Sequence, residues 1–256
     1  MIMPMNENGR SCLNCDVALS KENFCPNCGQ STGHKRITFR ETLGDFIGHT
    51  LSLDGAFLKT HAALVTRPGA LFRDYLKGKR QNYYKPVPFF IVNTAIYLLV
   101  ATLIGYDALK GTKIALTVGG EVTAVALTTQ AGQFMAAHIN HILFFLVISI
   151  GLLSKLYFWK RYNLAEYVAV AFFIAAGYTA IGIPTMLLSH YVSPALKYLA
   201  FAALILYVIV AYPFFFKDRG ITVWLRSILL AFTSIIFYIV IGFSFSFLVV
   251  WLRAKF

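Results

Sequence analysis

The chain has 256 residues, of which 58% are hydrophobic and only 13% charged, with a mean hydropathy of +0.65. A soluble domain carries about a quarter charged residues, so a soluble globular fold is excluded and a polytopic membrane protein is indicated. The net charge of +12 would suggest nucleic acid in a soluble protein. Here it reads as Lys and Arg held at one membrane face.

The N-terminal stretch MIMPMNENGR lacks an apolar run of signal-peptide length, so no cleaved signal is expected. Cys12-Leu-Asn-Cys15 and Cys25-Pro-Asn-Cys28-Gly-Gln follow. Two C-x-x-C pairs supply four thiolates in the pattern of a tetrahedral Zn²⁺ ribbon. The four cysteines are all the chain has. Two disulfides, which would need an oxidising compartment, or unused thiols are the competing readings. Four protein ligands close the coordination shell, so the zinc is expected to be structural. Residues 1–33 are assigned to this ribbon.

Residues 34–86 are read as amphipathic and basic juxtamembrane helices. Phe39, Leu43, Phe46, Ile47 and Leu51 share a helical face. Asp54 is placed as the N-cap of a second helix carrying Phe57, Leu58, His61, Leu64 and Val65. Neither is apolar enough to span, and each either lies in the interface or packs on the membrane domain. His49 and His61 read as polar-face residues. Then comes a basic, aromatic collar, Thr66 to Pro88, with Pro68 in the first turn of a helix and Gly78 as its stop. Its cations serve topology alone, as a positive-inside anchor, or Arg67, Arg73, Lys79 and Arg80 gather an anionic lipid or phosphate-bearing ligand. Nucleic acid is disfavoured because the patch abuts the bilayer.

Residues 87–256 form the transmembrane domain, with five spans at about 87–105, 138–155, 164–188, 196–216 and 227–251. Between the first two, Lys113 to Leu127 alternates around Gly119-Gly120, a pattern for an external β-hairpin. Gly177, Gly182 and Pro184 predict a kink in the third span. The loops between spans two and three and between four and five carry Lys155, Lys160, Arg161, Lys217, Arg219 and Arg226. The rule of positive loops inside then puts the N-terminus in the cytoplasm. Five spans leave the C-terminus outside, against the mild contrary pull of Arg253 and Lys255.

These residues resemble an uncharacterised bacterial membrane-protein family, a domain of unknown function. Its marks are a zinc ribbon ending in CPxCGQ, a PG…Y-x-x-G-K-R…Y-x-P segment and several spans. The matching residues are Cys25 to Gln30, Pro68-Gly69, Tyr75 to Arg80, and Tyr84-Lys85-Pro86. The family also has a Tyr-x-x-Glu-His stretch at the start of the third span. This chain has Tyr162-Asn163-Leu164-Ala165-Glu166-Tyr167, with the spacing changed by one and no histidine. The resemblance implies an all-α polytopic protein of the bacterial inner membrane and carries no activity.

Glu166 is an intramembrane polar candidate, or else one half of an interfacial ion pair with Arg161, Lys160 or a collar arginine. His138, His141 and His190 could share a metal or pH-sensitive site at the outer face, or be ordinary span-end residues. No nucleophile elbow, P-loop, dinucleotide fingerprint or H-E-x-x-H motif occurs. The favoured function is a zinc-ribbon membrane adaptor, scaffold or regulatory subunit that recruits a protein partner. The alternatives are a small transporter or lipid-handling protein using the collar and Glu166, and an intramembrane enzyme. Anionic membrane lipids and self-association are the other expected partnerships.

Overall fold

The computed structural model describes residues 10–19, 23–32, 55–107, 124–138 and 142–255. Two short strands, β1 (Arg10–Ser11) and β2 (Ala18–Leu19), pair antiparallel in the ribbon. The helices are α1 (Gly55–Thr66), α2 (Pro68–Leu76), α3 (Pro86–Leu103), α4 (Ala124–Ala137), α5 (Leu143–Tyr157), α6 (Leu164–Tyr191), α7 (Leu199–Phe216, after a 3₁₀ turn Pro194–Tyr198) and α8 (Ile221–Lys255).

Four stretches among the described residues are long and apolar enough to cross a membrane: α3, α6, the 3₁₀ turn with α7, and α8. α5 is apolar but has 15 residues, about 22 Å of helix, against the ~30 Å of a hydrocarbon core. The span expected from 138 therefore starts later, at Leu143. The preceding residues make a separate helix, α4, and the polar run His138-Ile-Asn-His141 falls between the two. α4 and α5 pack in succession along the 35-residue α8. Gly242 is the shared seat: a Cβ there would lie 3.0 Å from Met135 Cε on α4 and 3.2 Å from Ile142 Cδ1 before α5.

The second arm of the expected hairpin is corrected in part, because Ala124 to Leu127 are helical. The turn and first arm lie outside the described residues, as do the amphipathic face of 39–51 and the proposed cap Asp54. Alternation of small and β-branched residues gave a strand-like period there, whereas the helix is held by packing against α8.

α6 is the centre of the body and packs against α3, α5 and α7. It is buried nearly all round, which is how a helix apolar on every face is accommodated. α8 lies at the periphery and turns Leu225, Leu229, Phe232, Ile236 and Val240 outward, the surface a lipid environment covers. α6 is one continuous helix with Pro184 inside it, and Gly182 lets the Tyr97 ring of α3 come within 2.9 Å of where a Cβ would be.

The collar is part of the core. At Gly69 an added Cβ would sit 2.4 Å from the Phe214 carbonyl carbon and 2.5 Å from the Phe215 nitrogen. The first turn of α2 thus abuts the last-turn backbone of α7, an approach closed to any side chain. Arg73 donates to the carbonyls of Phe214 and Phe215 in the last turn of α7, where the Lys217 N–H also reaches the Phe214 carbonyl, and favours that end electrostatically. Phe72 and Tyr75 enter an aromatic cluster with Phe173 and Phe215. Gly69→Ala should lower the thermal stability of the detergent-solubilised protein by about 1–3 kcal/mol. Gly55→Ala, where a Cβ meets nothing within 4 Å, should be near neutral. Equal melting curves for the two would contradict this packing.

Candidate metal centre and its seat on the collar

The two C-x-x-C segments fold as matching knuckles. In the first, Asp16 N–H donates to the Cys12 carbonyl and Cys12 N–H to Val17; in the second, Gly29 donates to Cys25 and Cys25 to Gln30, each at 2.8 Å. The residue after the second cysteine is left-handed in both, Asp16 at φ 60 and Gly29 at φ 71. Glycine adopts that conformation freely, and aspartate is among the few others that tolerate it.

The knuckles bring the four sulfurs within 4.8 Å of one another. Cys12 and Cys28 are 3.5 Å apart, Cys15 and Cys25 3.6 Å. Tetrahedral thiolates 2.3 Å from one ion would stand about 3.8 Å apart, so the set fits a four-sulfur metal site. All four cysteines are free of disulfides. The Val17 backbone and then the Asn27 side chain donate to Cys15 and lower its pKa to about 6, while desolvation pushes Cys28 up to about 11, so the thiolate character a metal requires is unevenly shared.

Gln30, the last residue of the CPNCGQ stretch, joins this centre to the collar. Its side chain is 4% exposed. Nε2 donates to the Gly78 carbonyl at 2.6 Å, and Oε1 accepts from the Arg80 and Gln81 N–H groups at 3.2 and 3.3 Å. The pattern fixes the amide orientation, because a flipped amide would set donors against two donors. Gly78 holds φ +97, which turns its carbonyl and the following amides to one side. Asn82 Nδ2 adds a 3.1 Å bond to Asn14 Oδ1 in the first knuckle.

The next turn is fastened to α1. Tyr84 N–H donates to Thr60 Oγ1 at 2.8 Å. His61 bridges α1 to α3, with Nε2 2.8 Å from Asn93 Oδ1 and Nδ1 3.1 Å from the Phe57 carbonyl. Its ring packs between Phe57 and Phe89, so it is an inter-helix fastener more than a surface residue.

Two of the four residues expected to gather an anion, Arg73 and Arg80, have partners within the fold. Arg73 caps α7, and Arg80 lies over the Tyr75 ring, 5.6 Å from its centroid. Glu166 is 5% exposed and forms a capping box at the start of α6: Asn163 N–H donates to Glu166 Oε2 and Glu166 N–H to Asn163 Oδ1, both at 2.7 Å. That motif, N-x-x-E before an apolar run, was present in the sequence as a helix-start signature. Of the partners offered for Glu166, Arg161 meets Asp218 at 2.6 Å. The Gly220 N–H, then Arg161, hold the Asp218 carboxyl below its usual value.

His138 stacks on Phe134 and bonds the Phe134 carbonyl, His190 packs edge-on to Tyr191, and His141 lies outside the described residues. Among the described residues only the cysteines form a metal-ligand group. Glu166 and His190 are 24 residues apart on one helix, about 36 Å, so they do not meet in one active site.

Asn163→Ala should cost about 0.5–2 kcal/mol in unfolding measurements. Glu166→Gln, which can still reach the Asn163 N–H, should cost less. A Glu166→Gln loss larger than that of Asn163→Ala would contradict a capping role and restore the carboxylate as a functional acid.

No curated protein and no solved structure matches the chain. Residues 54–98, which hold α1, the collar and most of α3, match the family described as "Protein of unknown function (DUF3667)", in keeping with the resemblance to an uncharacterised family drawn from the collar motifs.

Proposed function

We propose that the chain is a membrane-embedded adaptor or regulatory subunit whose zinc ribbon faces the cytoplasm as a fixed docking platform. The observation that carries this reading is the Gln30 clamp. A ribbon meant only to close a chain end needs no buried amide tying it to the collar, whereas a platform that positions a partner over a membrane body does. The four sulfurs suit Zn²⁺, which takes a closed thiolate shell in structural sites. Lys155 in the last turn of α5, Lys160, Arg161, Lys217 and Arg219 in the loops, and Arg226 near the start of α8 gather at the ribbon end of the bundle, and their charge supports a cytoplasmic orientation, in a bacterial inner membrane on the family resemblance.

The ribbon offers a contact surface. Phe24 is 64% exposed beside the second knuckle, and Val17 is also exposed next to the first. An exposed aromatic on a rigid support is the kind of anchor that dominates protein interfaces. With a photo-crosslinking amino acid at Phe24 in intact cells, one discrete protein adduct is expected. It should be lost with Cys25→Ser, which should also abolish the one-to-one zinc content, and be retained with Glu166→Gln. No adduct, or an adduct indifferent to Cys25→Ser, would contradict the adaptor reading.

A further inference from the structure

We propose that the ribbon-side end of α5 is a binding site for one acidic phospholipid. The site goes beyond the adaptor reading and does not depend on it. A shallow, open surface depression of about 530 Å³ is lined by Leu152, Lys155, Leu156 and Trp159. Leu152, Lys155 and Leu156 lie three and four residues apart on one face of the end of α5, and Trp159 follows in the turn after the helix. Leu156 is 67% and Trp159 62% exposed, and the lining runs from the apolar body of α5 to the turn that follows it.

The chemistry changes along the depression as a lipid's does. Leu152 and Leu156 suit an acyl chain. Trp159 has the amphipathic ring enriched where hydrocarbon meets headgroups. Lys155 Nζ donates to the Trp159 and Tyr162 carbonyls, which leaves one of its three N–H groups for a phosphate oxygen. Lys160 holds its ammonium over the Trp159 ring, 5.0 Å from the centroid. Arg226 reaches the same corner through the Tyr157 carbonyl at 3.4 Å.

Charge complementarity names the occupant. Residues 155–161 and 217–226 hold six basic residues and one acid, Asp218, and Arg161 and Gly220 already engage that acid. The corner therefore carries positive charge that its own carboxylate does not neutralise, beside an apolar depression open to the bilayer. A zwitterionic lipid would fill the depression but leave that charge uncompensated. A soluble phosphate would meet the charge but gain nothing from Leu152 and Leu156.

The test is native mass spectrometry of the delipidated full chain, titrated separately with phosphatidylglycerol, phosphatidylcholine and glycerol 3-phosphate. One phosphatidylglycerol should be retained in preference to phosphatidylcholine. Lys160→Gln should lower that preference about fivefold, the effect of one interfacial cation, and Lys155→Gln/Lys160→Gln should bring it near unity. Leu156→Trp, which fills the depression and leaves the charges in place, should reduce retention of phosphatidylglycerol. Lys160 is exposed and makes no helix cap, so Lys160→Gln reads the site even if Lys155→Gln fails to fold. Equal retention of the two lipids, retention unchanged by Lys160→Gln and Leu156→Trp, or displacement of the lipid by glycerol 3-phosphate would each overturn the proposal.

Discussion

The buried side chain of Gln30 decides how the two halves of this protein are related. A primary amide has two donors and an acceptor that takes two bonds, and here it meets one carbonyl and two amides of the turn after α2. The Arg80 N–H and the Gly78 carbonyl also bond each other at 2.9 Å, and Gln30 adds a second partner to each and one to the Gln81 N–H. Gln30 is placed to meet them because its own carbonyl accepts from Cys25 N–H, the bond that closes the second knuckle. Metal coordination, knuckle geometry and collar docking are therefore linked through adjacent residues of one short loop.

From that point the fastening continues inward. The turn bonded by Gln30 leads to Tyr84, held by Thr60 of α1, and α1 is held to α3 through His61 and Asn93. On the other side, α2 is pressed against the end of α7 at Gly69 and Arg73. Most of the named collar residues thus join helices at the ribbon end, and the matched family segment coincides with this joint. Arg67 and Lys77 of the collar stay exposed, as does Lys160 beside Trp159.

The sequence was legible where its signals were local. Two C-x-x-C pairs announced the four-sulfur cluster, and long apolar runs announced α3, α6, α7 and α8. It was less legible where the outcome depends on a distant partner. Nothing near Gly69 says that Phe214 will lie against it, and nothing near Arg73 says that its guanidinium will cap α7 and not wait for an anion. The expected second span starts at about 138, whereas the apolar helix α5 is Leu143–Tyr157 and α4, Ala124–Ala137, precedes it in a stretch that reads as a loop. Glu166 was read through its cost in a membrane, while the Asn163 three residues earlier already offered the local explanation.

The central claim is that Gln30 couples the metal site to the collar, and amide hydrogen exchange at residues 78–82 tests it most directly. Arg80 and Gln81 N–H should be protected in the metal-loaded protein. They should lose that protection both in Gln30→Ala and on chelation of the metal, while the amides of α6 stay protected. Exchange at Arg80 and Gln81 that is already fast in the metal-loaded protein, or that is unchanged by Gln30→Ala, would contradict the account.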